Sequence, residues 1–434
     1  MKANYHYYTV KTLAHYAGFD EETAQFIAYF SQFIDEFILS QPFVVEDKPP
    51  GFFLERGLAR ELDDHRWIFS PCPTGVSMSR STSHNYQLHT LMPFHFIMPQ
   101  AKSELPENPD RSVYRCAAAN TGDGLLINRL MKETVGASDV NDRSSLMALG
   151  MLLHTFADTY SHCGFSGFHG WENQSYASRL MYKCPYKQES FLLKRVREWI
   201  KVKLTGRQIE YNSLNVPLHT LYSTLPSIGH ANVGMVVDCC ESEIAFYNKE
   251  THDGKMKTWA RRDNSEYFDD CSRRIMQILC GVTRKSLPDD EEWEGIRSKL
   301  SRAQMVSDQG NHTKNRIRWN RVFPHIKYHY KKNALIDIKL APLTRQREAL
   351  RELRKEPSLD IDFNRRDVSN IYSDKGEQAR AALTMIAKNV SDLFYMFNEH
   401  AYRHVFHTTG EYASAGDFAQ MSNRHKLASA INDE

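Results

Sequence analysis

One stretch constrains this chain more than any other: Leu149-Gly150-Met151-Leu152-Leu153-His154-Thr155-Phe156-Ala157-Asp158-Thr159-Tyr160-Ser161-His162. His154, Asp158 and His162 stand at i, i+4 and i+8. At about 100° per residue, successive members drift by only about 40°, so all three project from one face of a helix. The rise of about 1.5 Å per residue sets His154 and His162 roughly 12 Å apart, too far to share one ion, whereas neighbours about 6 Å apart can. Phe156, Ala157 and Tyr160 lie between them and the upstream run is apolar, so the helix is expected to be buried. Buried ionisable groups need partners. A polar stripe facing solvent is the bland alternative, and the apolar surroundings favour a metal. Asp158 is then expected to bridge two ions, with His154 on one and His162 on the other. That is the layout of a multi-metal hydrolytic site, in which one ion activates water and another holds a substrate oxygen.

The rest of the chain reads as mainly α, a multi-helix domain with long loops and a charged helical C-terminal extension. Helical spacing runs from Thr9 to Tyr16, Gly18 breaks it, and Asp20 caps a second helix over residues 21–39. Residues 41–112, rich in Pro, Ser, Asn and Asp, predict long loops with short strands or turns. Asp142 or Ser144 caps the helix that ends near His162, and Gly164, Gly167 and Gly170 terminate it. Residues 174–283 read as helical, interrupted near Pro185, Pro217 and Pro226. Residues 284–366 form a charged basic and aromatic arm, with Arg316, Arg318, Arg321, Lys327, Lys331 and Lys332 interleaved with Trp319, Tyr328 and Tyr330. Asp374 to His400 reads as a last amphipathic helix, and the tail as frayed. The expected domains are therefore 1–283, 284–366 and 367–434.

Other chemistries find little support. The chain has no G-x-S-x-G, no P-loop and no G-x-G-x-x-G. Its 55 basic and 53 acidic side chains give a net charge of +2, so no global field draws it to nucleic acid or an anionic membrane. Local patches must do that work. The 314–332 stretch suits phosphate and base contacts, a membrane surface, or a plain solvated arm. No run of 18 apolar residues spans a membrane, and the N-terminus lacks the pattern of a signal peptide, so a cytoplasmic setting or a signal-peptide-independent route is expected. The eight cysteines are scattered without a C-x-x-C pair and read as reduced, buried thiols. Cys163 reads as structural rather than nucleophilic.

The string L-G-x-x-L-H-T-x-x-D-T-x-S-H resembles the central helix of the zinc-dependent phospholipase C and P1 nuclease superfamily. More closely still, it resembles a set of uncharacterised bacterial proteins that carry H-T-x-A-D-T-x-x-H-x-G-F-S-G. His6-Tyr7-Tyr8, Ile27-Ala28-Tyr29 with Ser31 to Asp35, Pro93-Phe94-His95-Phe96, and Ile228-Gly229-His230-Ala231 with Gly234 and Asp238 extend the likeness over roughly residues 5–280. The resemblance implies an all-helical fold around a zinc cluster of two or three ions. Its ligands, in chain order, would be His6, Asp35, His95, His154, Asp158, His162, His230 and a following acid. The sequence departs from the superfamily at three points. Three residues separate Asp158 from His162 where the phospholipases have five. Gly234 stands where an acid is expected, leaving Asp238 as the nearest candidate. The processed N-terminal residue that ligates zinc in secreted members has no evident counterpart. His84 and His89 compete with His95, and His169 and Glu172 with His230 and Asp238.

Together these imply a metal-dependent phosphodiester hydrolase of the phospholipase C type. Asp158 and Asp35 would be its catalytic carboxylates, phospholipid its first substrate class with peripheral membrane contact, and nucleic acid its second. The alternative is a non-catalytic helical interaction module with a structural metal. A toxin or effector role is compatible with either.

Overall fold

A computed structural model describes residues 1–40, 42–61, 65–77, 80–182, 227–253, 255, 257–304, 312–340 and 385–413. The chain is mainly α-helical. It divides into two compact units: residues 1–36 with 90–330, and residues 37–89 with 331–434. The expected boundary at 283 is not where this division falls, because residues 284–330 belong to the first unit; residue 366 lies outside the described residues.

The first unit is a helical stack. A π-helical turn, Asn4–Thr9, runs straight into α1 (Val10–Tyr16), and Gly18 reverses the chain at φ +97°. Asp20 then caps α2 (Glu21–Glu36), its carboxylate accepting from the Thr23 amide at 2.8 Å. Ala24, Ile27, Ala28 and Ile34 recur at helical spacing and are fully buried. After α3 (Leu126–Ala137), Asp142 caps α4 (Arg143–Ser161), accepting from the amides of Ser144 and Ser145. Helix α4 is buried almost throughout and packs along α2. The approach is close at Gly150, where an added Cβ would sit 2.5 Å from the Ile27 carbonyl oxygen and 3.3 Å from Phe30 Cβ. Only a residue without a side chain lets the two helices come so near.

Past the end of α4 the expectation of helix fails. Ser175–Tyr182, Ser242–Lys249 and Lys257–Asp263 form a three-stranded antiparallel sheet, with Ser242–Lys249 in the middle. Ile244 and Phe246 are buried there. A short apolar run fits strand and helix equally well on paper, and pairing on both edges decides it. Residues 183–226, with Pro185 and Pro217, lie outside the described residues. Three helices follow: α5 (Asn264–Thr283), α6 (Asp290–Gln304) and α7 (His312–Val322). The charged arm is corrected too: Trp293, Ile296 and Leu300 of α6, and Trp319, Phe323, Ile326 and Tyr328 in and after α7, are core residues.

The second unit is built on a five-stranded sheet in the order Ala59–Glu61, Trp67–Phe69, Phe43–Val45, Met385–Val390, Ile338–Leu340. Phe43–Val45 pairs parallel with Met385–Val390, and the other pairs are antiparallel. Residues 385–390, expected in the last amphipathic helix, are therefore strand, and 374–384 lie outside the described residues. Helix α8 (Asp392–Thr409) follows, capped by Ser391 and ended by Gly410 at φ +84°. Phe394 packs on Phe37, Phe43 and Phe69, and Phe397 on Phe37, in an aromatic core.

Candidate metal centre

In the first unit the polar face of α4 meets side chains from four other segments. His6 projects from the π-helical turn, a wide turn of a kind often found at functional sites. Asp35 comes from the last turn of α2, and His95 follows the single helical turn Met92–Phe94. His154 and Asp158 lie on α4, with His162 as its C-cap. His230 and Asp238 flank and end the 3-10 segment Gly234–Asp238. The structure brings all eight expected residues together in three ligand groups: His6, Asp35 and His154; His95, His154 and Asp158; His162, His230 and Asp238. In each, donor atoms lie within 4.8 Å of one another, so each group could hold a metal ion.

Asp158 is the hub. Its Oδ2 lies 3.2 Å from His95 Nδ1, 3.3 Å from His154 Nε2 and 3.6 Å from His162 Nδ1, and its Oδ1 lies 3.2 Å from His6 Nε2. Asp35 Oδ1 stands 3.7 Å from His154 Nε2 and 3.9 Å from His95 Nδ1. At the other end, Asp238 Oδ1 is 3.1 Å from His162 Nε2 and its Oδ2 is 3.5 Å from His230 Nε2. His154 and His162 thus fall in separate groups, as their axial separation requires.

Three imidazoles are oriented by main chain. His154 Nδ1 lies 2.7 Å from the Ser31 carbonyl, His162 Nδ1 2.6 Å from the His95 carbonyl, and His230 Nδ1 2.9 Å from the Gly234 carbonyl. A carbonyl only accepts, so each Nδ1 carries the proton and each neutral ring presents the Nε2 lone pair. Those lone pairs point at carboxylate oxygens between 3.1 and 3.7 Å away. Two acceptors facing each other in a buried site repel, and a cation between them removes the conflict. Fixing the ring by its other nitrogen is how proteins prepare metal-binding histidines. His6 adds to the case: it is fully buried, and neither ring nitrogen has an aligned hydrogen bond despite the 3.2 Å approach of Asp158. Its ring stacks on His154 with centroids 3.8 Å apart. The donor set of imidazole and carboxylate therefore fits a metal ion.

Electrostatics point the same way. Burial alone would raise the Asp158 carboxyl, but His162, the Met1 α-amine, His154 and His6 hold it well below the ordinary carboxylate range. Asp238, also buried, is held down by the Met1 amine, His230 and His162. Burial pushes His6 down to about 4, helped by His154 and the amine. His230 falls to about 4 through burial, against the pull of Asp238. These imidazoles stay neutral, as ligands must.

Some participants carry no sequence signal. The Met1 α-amine contacts Asp158 and lies 3.2 Å from Ser161 Oγ and 3.4 Å from Asp238 Oδ1, in a place where the sequence suggested no counterpart. Burial lowers its pKa, but Asp158, Asp238 and Asp35 outweigh that and raise it to about 10. Arg262 is buried behind the site and donates to the Ser161 carbonyl at 2.9 Å and the Val237 carbonyl at 3.3 Å. It ties the end of α4, just before His162, to the residue before Asp238. Asn264 clamps the same segment through the Val236, Val237 and Cys239 carbonyls. The competing candidates are in none of these three groups. His84 and His89 belong to the other unit, and the buried Glu172 is held by the part-exposed Arg111 in a bidentate pair. The His169 carbonyl accepts from the same arginine.

No helix among the described residues is long and apolar enough to cross a membrane. No curated protein and no solved structure matches the chain. One family model does match, over residues 1–412, and the chain belongs to that family, DUF6765, a family of unknown function.

Proposed function

We propose that the chain is a metal-dependent phosphodiester hydrolase of the phospholipase C type, with two or three zinc ions held by these groups and phospholipid as substrate. One observation carries this reading: Asp158, fully buried, is shared by imidazoles from both ends of α4, and their Nε2 lone pairs face carboxylates. Such ions, when bound, lower the pKa of water and neutralise charge that develops on a phosphoryl group.

The residues of the chain supply the rest. Asp158 holds the two ends of the site in register. The Ser31, His95 and Gly234 carbonyls fix the ring planes. Asp35, with its side chain 28% exposed, is the carboxylate at the solvent side. Its Oδ1 is placed to accept a proton from an incoming water, or to complete the His6 and His154 group. The His162 group offers three protein ligands, and His154, with its one free lone pair, completes either the His6 and Asp35 pair or the His95 and Asp158 pair to three. Catalytic zinc sites keep three and leave a position open, whereas structural sites close with four. All seven described cysteines are free thiols, which suits a reducing compartment, and we place the enzyme in the cytoplasm.

The test is elemental analysis of protein purified without chelators, paired with release of phosphorylated headgroup from phosphatidylcholine vesicles. Two or three zinc ions per chain and turnover that stops on chelation support the reading. Turnover of single-stranded nucleic acid instead would make it a nuclease. Bound zinc with no turnover of either substrate would leave a structural metal in an interaction module.

A further inference from the structure

The basic aromatic segment has no part in the metal groups, yet it has an unusual surface. Within the first unit, residues 312–330 hold Lys314, Arg316, Arg318, Arg321 and Lys327, three histidines and no acidic residue, in a chain whose net charge is only +2. The structure sorts this segment by face. Trp319, Phe323, Ile326 and Tyr328 turn inward and are buried, with Trp319 stacked on Tyr8 at 5.6 Å. Lys314, Arg316, Arg321 and Lys327 are exposed. In the middle of α7, Ile317 is 55% exposed, more than any other exposed large apolar side chain among the described residues. Lys314 and Arg321 stand three residues before and four after it, on the same face.

This face is joined to the metal centre through short links. Tyr8 lies two residues beyond His6, and its hydroxyl donates to the His312 carbonyl at 3.0 Å. Glu36, next to the part-exposed Asp35, lies 4.0 Å from His312 Nε2. The basic helix therefore starts beside the solvent side of the proposed site.

We propose that the outer face of α7 docks the protein on an anionic lipid surface, with Ile317 entering the interface and the surrounding cations meeting acidic headgroups. The inference rests on the phospholipid reading for its purpose, and its test does not need activity. Charge complementarity with an acidic surface supports it: exposed cations ring an exposed apolar side chain, on a helix whose opposite side is fixed in the core. A single-stranded nucleic acid would use the same cations, but it also needs rings on which bases can stack. Here Trp319, Phe323 and Tyr328 are spent inside the fold, and aliphatic Ile317 is what stands out.

The experiment is sedimentation of the full chain with vesicles of phosphatidylcholine alone and with about 30% phosphatidylserine. It uses wild type and metal-free Asp158→Asn protein, so that binding is read apart from catalysis. Binding to the acidic vesicles only, equal in both proteins and weakened by salt, is expected. Arg316→Glu with Arg321→Glu should weaken it about tenfold or more. Arg316→Lys with Arg321→Lys should keep it, and Ile317→Ser should weaken it with the charge unchanged. Thermal melts confirm that each variant is folded. No vesicle binding by folded wild type, binding indifferent to charge reversal, or charge-dependent capture of a single-stranded oligonucleotide without vesicle binding would each overturn the proposal.

Discussion

The two ends of the polar face of α4 solve one problem in different ways. At the His154 end, three imidazoles crowd two carboxylates: His6 stacks on His154, His95 stands edge-on to it, and Asp35 reaches in from α2. At the His162 end, two tilted imidazoles, with centroids 4.9 Å apart, face one carboxylate, Asp238. The first end is framed by helices and depends on how closely α4 approaches α2. The second is framed by a 3-10 turn and depends on Arg262 and Asn264, which pin main-chain carbonyls. The Asp158 side chain lies against imidazoles of both. One end is positioned by helix packing, the other by a buried cation behind a loop, and mutations should separate the two.

The largest effect belongs to the residue they share. Asp158→Asn keeps the shape but removes the charge that four imidazoles face. Metal content should fall at both ends, to about no ion per chain, and hydrolysis by about a thousandfold or more. Loss of a single ion would assign Asp158 to one end and dissolve the comparison.

Acid should act on both ends together. His6 at one end and His230 at the other are each depressed to about 4 from 6.5. A histidine held below its unfolded pKa takes up fewer protons in the fold than in the open chain. It costs nothing above pH 6.5, and stability falls as pH drops from 6.5 toward 4. At pH 5 each contributes a loss on the order of 2 kcal/mol. Asp158 and Asp238, held well below 3.8, stabilise the fold above that value and give way only at lower pH. Melts of metal-stripped protein at pH 7 and pH 5 should show the lower Tm at pH 5. An unchanged Tm would mean that these rings are not buried as neutral groups.

Arg262→Met tests the second end alone. It removes the donor to Ser161 and Val237 without touching a ligand. Metal affinity at the His162 group should drop by about ten- to a hundredfold, as for other outer-shell changes. The His154 group should hold its ion, and Arg262→Lys should recover part of the loss. Equal loss at both ends would be falsifying for the loop-pinning role.

How much of this was written in the sequence differs between the ends as well. Local rules sufficed for the helices. Asp20 and Asp142 cap where their side-chain chemistry says they should, Gly18 turns at positive φ, and the i, i+4, i+8 spacing puts His154, Asp158 and His162 on one face. Asp238 could be named only as the nearest acid after His230, since the turn that carries it back to His162 has no periodicity to read. Strands 242–249 and 257–263 were hidden because their identity depends on mutual pairing. Arg262 was one charge among many until its carbonyl partners fixed its role. The basic stretch was ambiguous because composition does not say which side of a helix a ring will face.

The smallest change tests the first end. Gly150 sits one turn before His154, where α4 comes close to the α2 backbone at Ile27. In Gly150→Ala the new Cβ meets the Ile27 carbonyl at 2.5 Å, a main-chain atom that cannot swing aside. The helices must part, at a cost of about 1–3 kcal/mol for an overpacked contact. Alanine's better helix propensity returns only about 1 kcal/mol. Parting them draws Asp35 and the Ser31 carbonyl, both on α2, away from His154. The variant should melt lower than wild type and lose affinity at the His6, Asp35 and His154 group, while the His162 group, held by Arg262, keeps its ion. A variant as stable as wild type, with both ends intact, would show that the approach of α2 is not what positions the first end.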